Sequence, residues 1–259
     1  LKRMFVNSEV ISGGADLKVF VPPHRSDIFH ACDVMEDVAI AYGFNSVPNT
    51  IPRSMTIAAA FPLNKLTDQL RREVALTGFT EVLTLTLCSR KENYDWLLKK
   101  DPGNEAVVLS NPKTIEYEVV HTSLIPEMLK TISSNKKMPL PIKIFQISDV
   151  VLQDPSKDVG ARNERRLCAV VCDSESGFEV IHGLLDRVLQ MLGVAFNNAS
   201  NGYTVRPSHL PTFFPGRQAE VIYNNQVIGS FGIIHPQVMA NFEVPNAASL
   251  LEINIEPFL

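Results

Sequence analysis

No stretch of the 259 residues approaches the roughly 18 consecutive apolar residues that a membrane-spanning helix needs. Cysteine is scarce. Cys32, Cys88, Cys168 and Cys172 are too few and too scattered for a disulfide scaffold, which fits a reducing cytoplasmic setting. There is no excess of basic charge: 24 Lys and Arg against 28 Asp and Glu give a net charge of −4, a poor basis for autonomous nucleic-acid binding. No lysine or arginine follows Arg217. A phosphate-cradling loop is missing, because Gly13-Gly14 has no Lys-Ser/Thr behind it and Gly229 and Gly232 have no third glycine before a helix start. The six histidines are scattered, and none sits beside a serine or cysteine in a nucleophile elbow. Cys168 and Cys172 have no second cysteine pair or paired histidine, so they read as buried thiols rather than zinc ligands. A charged n-region with an apolar segment behind it is also lacking. The chain starts at Leu1 without Met, so we read it as a piece of a longer protein with no signal peptide.

What is present is ordinary globular material: 45% hydrophobic and 20% charged residues, enough for one or two packed domains. Residues 17–21 read as a strand stopped by Pro22 and Pro23, followed by a helix from Ser26 to Tyr42 closed by Gly43. Residues 45–61 hold Pro48 and Pro52 with little periodicity and read as a linker between a small unit, 1–44, and a larger one, 62–259. Leu63, Leu66, Leu70 and Val74 form one stripe of a helix ending at Thr77. Thr80 to Cys88 alternates and gives the clearest strand pattern. Ser89 and Glu92 have the spacing of a capping box. Strands are expected at 105–110, 142–152, 166–172 and 250–255, with a hairpin of 217–223 and 226–234 around Asn224-Asn225. Helices are expected at 122–135 and 179–192. Helices interrupting a mostly antiparallel series make the larger unit α+β.

Two charged sets stand out. Arg162, Arg165 and Arg166 border the expected loop 154–164, with Glu164 among them, and read as a solvated hairpin rim. Asp33, Glu36 and Asp37 are spaced i, i+3, i+4 and lie on one helical face, where like charges repel without a cation or a basic partner. Asp27 can join them only if it sits at or before the helix start. Spacing leaves two readings open: a solvated acidic face, or a cation site.

Two ordered stretches resemble a known family. The first runs Pro22-Pro23-His24-Arg25-Ser26-Asp27-Ile28, then Asp33, Glu36-Asp37, Ala39 and Ile40-Ala41-Tyr42-Gly43-Phe44. The second runs Pro215-Gly216-Arg217-Gln218-Ala219-Glu220, then Ile228-Gly229 and Gly232-Ile233-Ile234-His235-Pro236. Together they resemble the β subunit of phenylalanyl-tRNA synthetase of the eukaryotic cytosolic and archaeal type, across essentially the whole chain. The resemblance implies the C-terminal part of a small helix-containing domain, 1–44, then a class II aminoacyl-tRNA synthetase-like module, 62–259, with an antiparallel sheet flanked by helices. Residues 63–88 would be motif one, the segment that usually builds dimers, and 142–172 motif two.

The chain departs from a working class II site. Motif two needs an arginine one residue after an aromatic, but Gln146 follows Phe145, and Ser148 replaces a glutamate. Residues 244–259, the motif-three segment, contain no Gly and no Arg. Adenylation develops charge on phosphate and requires cationic clamps there. The implied role is therefore non-catalytic: to scaffold a catalytic α subunit, in an (αβ)₂ heterotetramer in the cytoplasm, for ATP-dependent charging of phenylalanine tRNA. The resemblance further implies that Asp27, Asp33, Glu36 and Asp37 bind Mg²⁺ at the boundary with the α subunit. The rival readings are an autonomous nucleotide-dependent enzyme and an independent nucleic-acid-binding module.

Overall fold

The computed structural model describes residues 1–53, 58–197 and 202–259, so residues 54–57 of the expected linker lie outside the described residues. The chain divides into two compact units, Leu1–Ala59 and Ala60–Leu259.

In the first unit, β1 (Asn7–Ile11) and β2 (Asp16–Phe20) form an antiparallel hairpin, with Ile11 opposite Asp16. Helix α1 (Ala31–Tyr42) starts later than its apolar periodicity predicts. The reason is local. His30 is the N-cap, its ring nitrogen accepting from the Cys32 amide at 3.3 Å, while the Asp33 carboxylate reaches back to the His30 amide at 2.8 Å. That reciprocal pair satisfies amides that the helix leaves open and fixes where it begins. Asp27 therefore lies before the helix.

The second unit opens with α2 (Pro62–Leu76), which buries Leu63, Leu70 and Val74, three of its four stripe residues. The strong alternation that follows yields only two short strands, β3 (Thr80–Glu81) and β4 (Leu87–Cys88). Between them the chain leaves the sheet, because just one face finds partners. The Thr84 hydroxyl donates to Gln146 at 2.7 Å, while Leu83 and Leu85 are 85% and 60% exposed. The capping box of Ser89 and Glu92 opens α3 (Arg90–Asn93), as its spacing predicts. Residues 105–110 form no strand; their backbone pairs through isolated bridges at Ala106 and Val108. After β5 (Val119–Val120) comes α4 (Ile125–Ser134).

The long hairpin is longer than expected. Strands β6 (Ile142–Gln153) and β7 (Ala161–Asp173) pair from Ile142↔Cys172 to Gln153↔Ala161, leaving only residues 154–160 as loop. Next come α5 (Phe178–Met191), β8 (Ala195–Phe196) and β9 (Gly202–Pro207), then the expected Asn-Asn hairpin of β10 (Phe213–Tyr223) and β11 (Gln226–Ile234). The short helix α6 (Pro236–Asn241) is capped by the His235 ring, which accepts from the Gln237 amide at 3.1 Å, and β12 (Ala247–Asn254) follows. Eight strands make one sheet in the order β3-β6-β7-β12-β11-β10-β9-β8, antiparallel except at the two ends. The α+β expectation holds.

Both faces of the central strands are covered. On β7, Leu167, Ala169 and Val171 join the core with α2 and α5, while Cys168, Val170 and Cys172 join the core with α4 and α6. That period-two split explains why 167–172 is a continuous apolar run. It also settles the two cysteines as core thiols. Burial pushes both above the ordinary thiol range.

The two quoted glycines of β11 are close-approach positions. A Cβ on Gly229 would stand 2.1 Å from the Glu252 carbonyl oxygen, and one on Gly232 2.7 Å from that of Arg217. Only glycine lets these strands meet. The Pro215-Gly216-Arg217 stretch lies at a break in the β10–β11 register, and the buried Gln218 beyond it accepts from Ser208 and from the Leu210 amide, at 2.9 and 2.7 Å.

Candidate functional site

The acidic set is arranged around an arginine. Arg25 donates to both carboxylate oxygens of Asp27, at 3.0 and 2.7 Å, and to Oδ1 of Asp37 at 3.0 Å. Its remaining nitrogen donates to the Met4 carbonyl at 2.8 Å. Asp37 is buried, and its Oδ2 lies 2.8 Å from the same guanidinium but out of line for a hydrogen bond. Arg25 hydrogen-bonded to Asp27 holds that carboxyl below its usual range.

Asp33 faces the other way. Its Oδ2 accepts from the Phe29 and His30 amides, both at 2.8 Å, and those two bonds lower its pKa. Glu36 is exposed. The structure thus brings Asp27 and Asp37 together, on Arg25, and gives Asp33 a capping role. Among the described residues no three His, Cys, Asp or Glu side chains are gathered as metal ligands. In this chain by itself the four carboxylates do not close around a Mg²⁺ ion. Arg25 supplies the positive charge that two of them need.

The second candidate is the face of the large sheet that carries Gln146 and Ser148, the positions at which the sequence departs from motif two. Strand β6 sends Gln146 and Ser148 to this face, and register places Cys168 and Arg166 of β7 opposite them. Glu164, two residues before Arg166, shares the face, as do Glu252 and Asn254 of β12. Gln146 is 3% exposed and held by Thr84. Arg166, opposite Ser148, is fully engaged. It pairs with Glu164 at 2.7 Å and Glu252 at 3.2 Å, and donates to the Thr122 carbonyl at 3.1 Å. Glu252 accepts in turn from the Ser123 hydroxyl at 3.0 Å and from the Leu124 amide at 2.6 Å, so the network pins the start of α4 to β12. Burial would raise the Glu164 carboxyl, but Arg166 and Arg162 together bring it below its ordinary value.

The three arginines expected on a solvated rim are therefore strand residues in ion pairs. Arg162 pairs with Glu164 at 2.7 Å, and Arg165 pairs with Asp149 and donates to Thr67 of α2 at 2.9 Å. Lengthening of the hairpin is the physical reason, since it moves Arg162 and Arg165 into β7 beside Arg166, which the expected strand already held.

Two participants escaped the sequence reading. Arg25 stood in a quoted motif without a role, although a guanidinium two residues from Asp27 was a visible signal. Glu252 carried no signal, because its partners lie 86 to 129 residues away in sequence.

The chain matches the family model of the phenylalanyl tRNA synthetase beta chain CLM domain over residues 47–255, and that of the tRNA synthetase B5 domain over residues 1–44. It is 52% identical over its whole length to a phenylalanine–tRNA ligase beta subunit of Mus musculus, and 49% identical over 94% of its length to a cytoplasmic phenylalanine–tRNA ligase beta subunit of Arabidopsis thaliana. The chain spans 44% and 42% of those relatives. Among solved structures it is similar to a pyrrolysyl tRNA synthetase of Desulfitobacterium hafniense, with a TM-score of 0.60 and 14% identity over 76% of this chain and 67% of that one. That likeness is one of fold: the large unit has the fold of a class II synthetase.

Proposed function

The chain belongs to the phenylalanyl-tRNA synthetase β-chain family, and from that premise we propose that it is a non-catalytic class II module that scaffolds a catalytic α subunit. The assembly it serves would charge phenylalanine tRNA with phenylalanine using ATP, as an (αβ)₂ heterotetramer in the cytoplasm. The observation that carries the reading is Gln146. A neutral amide, buried and tied to Thr84, stands where an arginine would have to grip phosphate. On the same face Arg166 is taken up by Glu164, Glu252 and the Thr122 carbonyl and has no free valence for a substrate.

The proposed docking surface is the outer side of α2 and the segment behind it. Leu76, Leu83 and Leu85 are 74%, 85% and 60% exposed, and we assign these exposed apolar side chains to the partner. The α2 stripe itself is core, so the interface is assigned to these three leucines and not to Leu63, Leu70 and Val74.

For Asp27, Asp33, Glu36 and Asp37 we propose a Mg²⁺ site in the assembled protein only, completed by oxygens of the partner. Asp27 and Asp37 share one guanidinium, and Asp37 Oδ2 is buried without a hydrogen bond, so negative charge is under-compensated there. Mg²⁺ takes hard oxygen ligands and keeps several waters, which suits side chains that do not converge. Because Asp33 caps α1 and Asp37 is buried, Glu36→Gln is the cleaner probe. The test is α–β dissociation with and without EDTA, in the natural protein and in Glu36→Gln. Chelation and the substitution should each weaken association; unchanged dissociation constants in both arms would remove the metal from the reading.

A further inference from the structure

Beside the Arg166 network, strands β7, β10, β11 and β12 and the chain at Lys99 enclose a cavity of about 320 Å³. Most of its charged groups are already matched: Arg166 by Glu164 and Glu252, and Glu220 by Arg206 at 2.7 Å. Lys99 is not. Among the described residues its amine makes neither an ion pair nor a hydrogen bond. Its placement is built in. Leu98 before it holds a left-handed conformation, φ 58°, and the Lys99 amide donates to the Tyr94 carbonyl at 3.0 Å. Non-glycine residues rarely adopt that region, so the backbone is held in a strained bend just before Lys99.

Two more donors line the cavity. Ser230 makes no side-chain hydrogen bond among the described residues, and Asn254 uses its carbonyl oxygen to accept from the Glu256 amide at 2.8 Å, leaving its NH₂ group available. Leu210, Val227 and Ile228 supply the apolar part of the lining.

We infer that this cavity binds a small organic monocarboxylate, its oxygens taken by the Lys99 ammonium, the Ser230 hydroxyl and the Asn254 amide, and its carbon body by Leu210, Val227 and Ile228. Glu252 and Glu105 attract the Lys99 ammonium from beyond ion-pair distance, and a bound carboxylate would supply the direct, charge-assisted hydrogen bonds that it lacks. Burial pushes the Lys99 amine below its ordinary range, a penalty that a bound anion relieves. The charge count sets the class. One unmatched cation suits a monoanion, while Glu164, Glu220 and Glu252 in the lining repel a dianion such as phosphate.

The test is ligand-observed NMR on the full chain with three probes: isobutyrate, its neutral isostere isobutyramide, and inorganic phosphate. Isobutyrate should bind saturably, at least about tenfold more tightly than either competitor, as the loss of a charge-assisted pair requires. Lys99→Met should abolish the binding without lowering the melting temperature. Ser230→Ala, which leaves the ion-pair network untouched, should weaken it and serves as the second variant should Lys99→Met fail to fold. Absence of isobutyrate binding, equal binding of the amide, tighter binding of phosphate, or variants that bind as the natural chain does would each overturn the assignment.

Discussion

Arg25 is the residue on which the first unit turns. It neutralises Asp27 and Asp37 at once and ties both to the Met4 carbonyl. Replacing it with Met leaves Asp37 buried beside no cation, a condition proteins avoid. We expect Arg25→Met to lower hydrogen-exchange protection across α1 while the second unit keeps its own, measured amide by amide. Asp33 sets a pH dependence of definite sign. Its native pKa is depressed by two amide donors, so its stabilisation is present above the ordinary aspartate range and is lost as pH falls through the lowered native value. Protection of the Cys32–Asp37 amides should decline on that acid limb, and Asp33→Ala should abolish the limb.

At the scale of elements, caps and buried charges decide boundaries. Ser89→Ala removes the hydroxyl that accepts from the Glu92 amide and should cost about 1 kcal/mol in denaturant unfolding. Glu127 of α4 behaves oppositely to Asp33. Burial raises its carboxyl above 4.5, despite Lys130 at 3.3 Å. The folded chain then holds a proton that the unfolded chain has released, so its contribution to stability falls as pH rises from about 4.5 through the raised native value. Glu127→Gln should flatten that part of the stability profile, visible as the difference between the two chains' unfolding free energies at each pH.

For the molecule as a whole, core and docking surface should separate on mutation. Leu250 of β12 is completely buried, and Leu250→Ala should destabilise the larger unit by about 2–5 kcal/mol. Leu83 is exposed, so Leu83→Asp should change stability by no more than about 0.5 kcal/mol yet weaken capture of the α subunit in a pull-down. Gln146→Arg separates scaffold from enzyme. It puts an unpaired cation at a buried site, so it should lower stability and yield no phenylalanine-dependent ATP–pyrophosphate exchange. Exchange above a heat-killed control would refute catalytic silence.

Much of this was legible in order along the chain. The apolar stripe of α2, the Ser89–Glu92 box, the Asn224-Asn225 turn and the run 167–172 are short-range patterns, and each produced its element because neighbours in sequence alone create it. The missing arginine at 146 and the quoted motifs were equally readable. What sequence could not decide depended on which faces found a partner. The 80–88 alternation had the propensity of a strand, but only its first residues and Thr84 met the sheet while Leu83 and Leu85 found no partner, so the backbone left it. Asp27, Asp33, Glu36 and Asp37 had the spacing of a cluster, yet the His30 cap turned one away and Arg25 drew two together. Glu252 met Arg166 only because β12 lies against β7, a pairing that local periodicity does not encode.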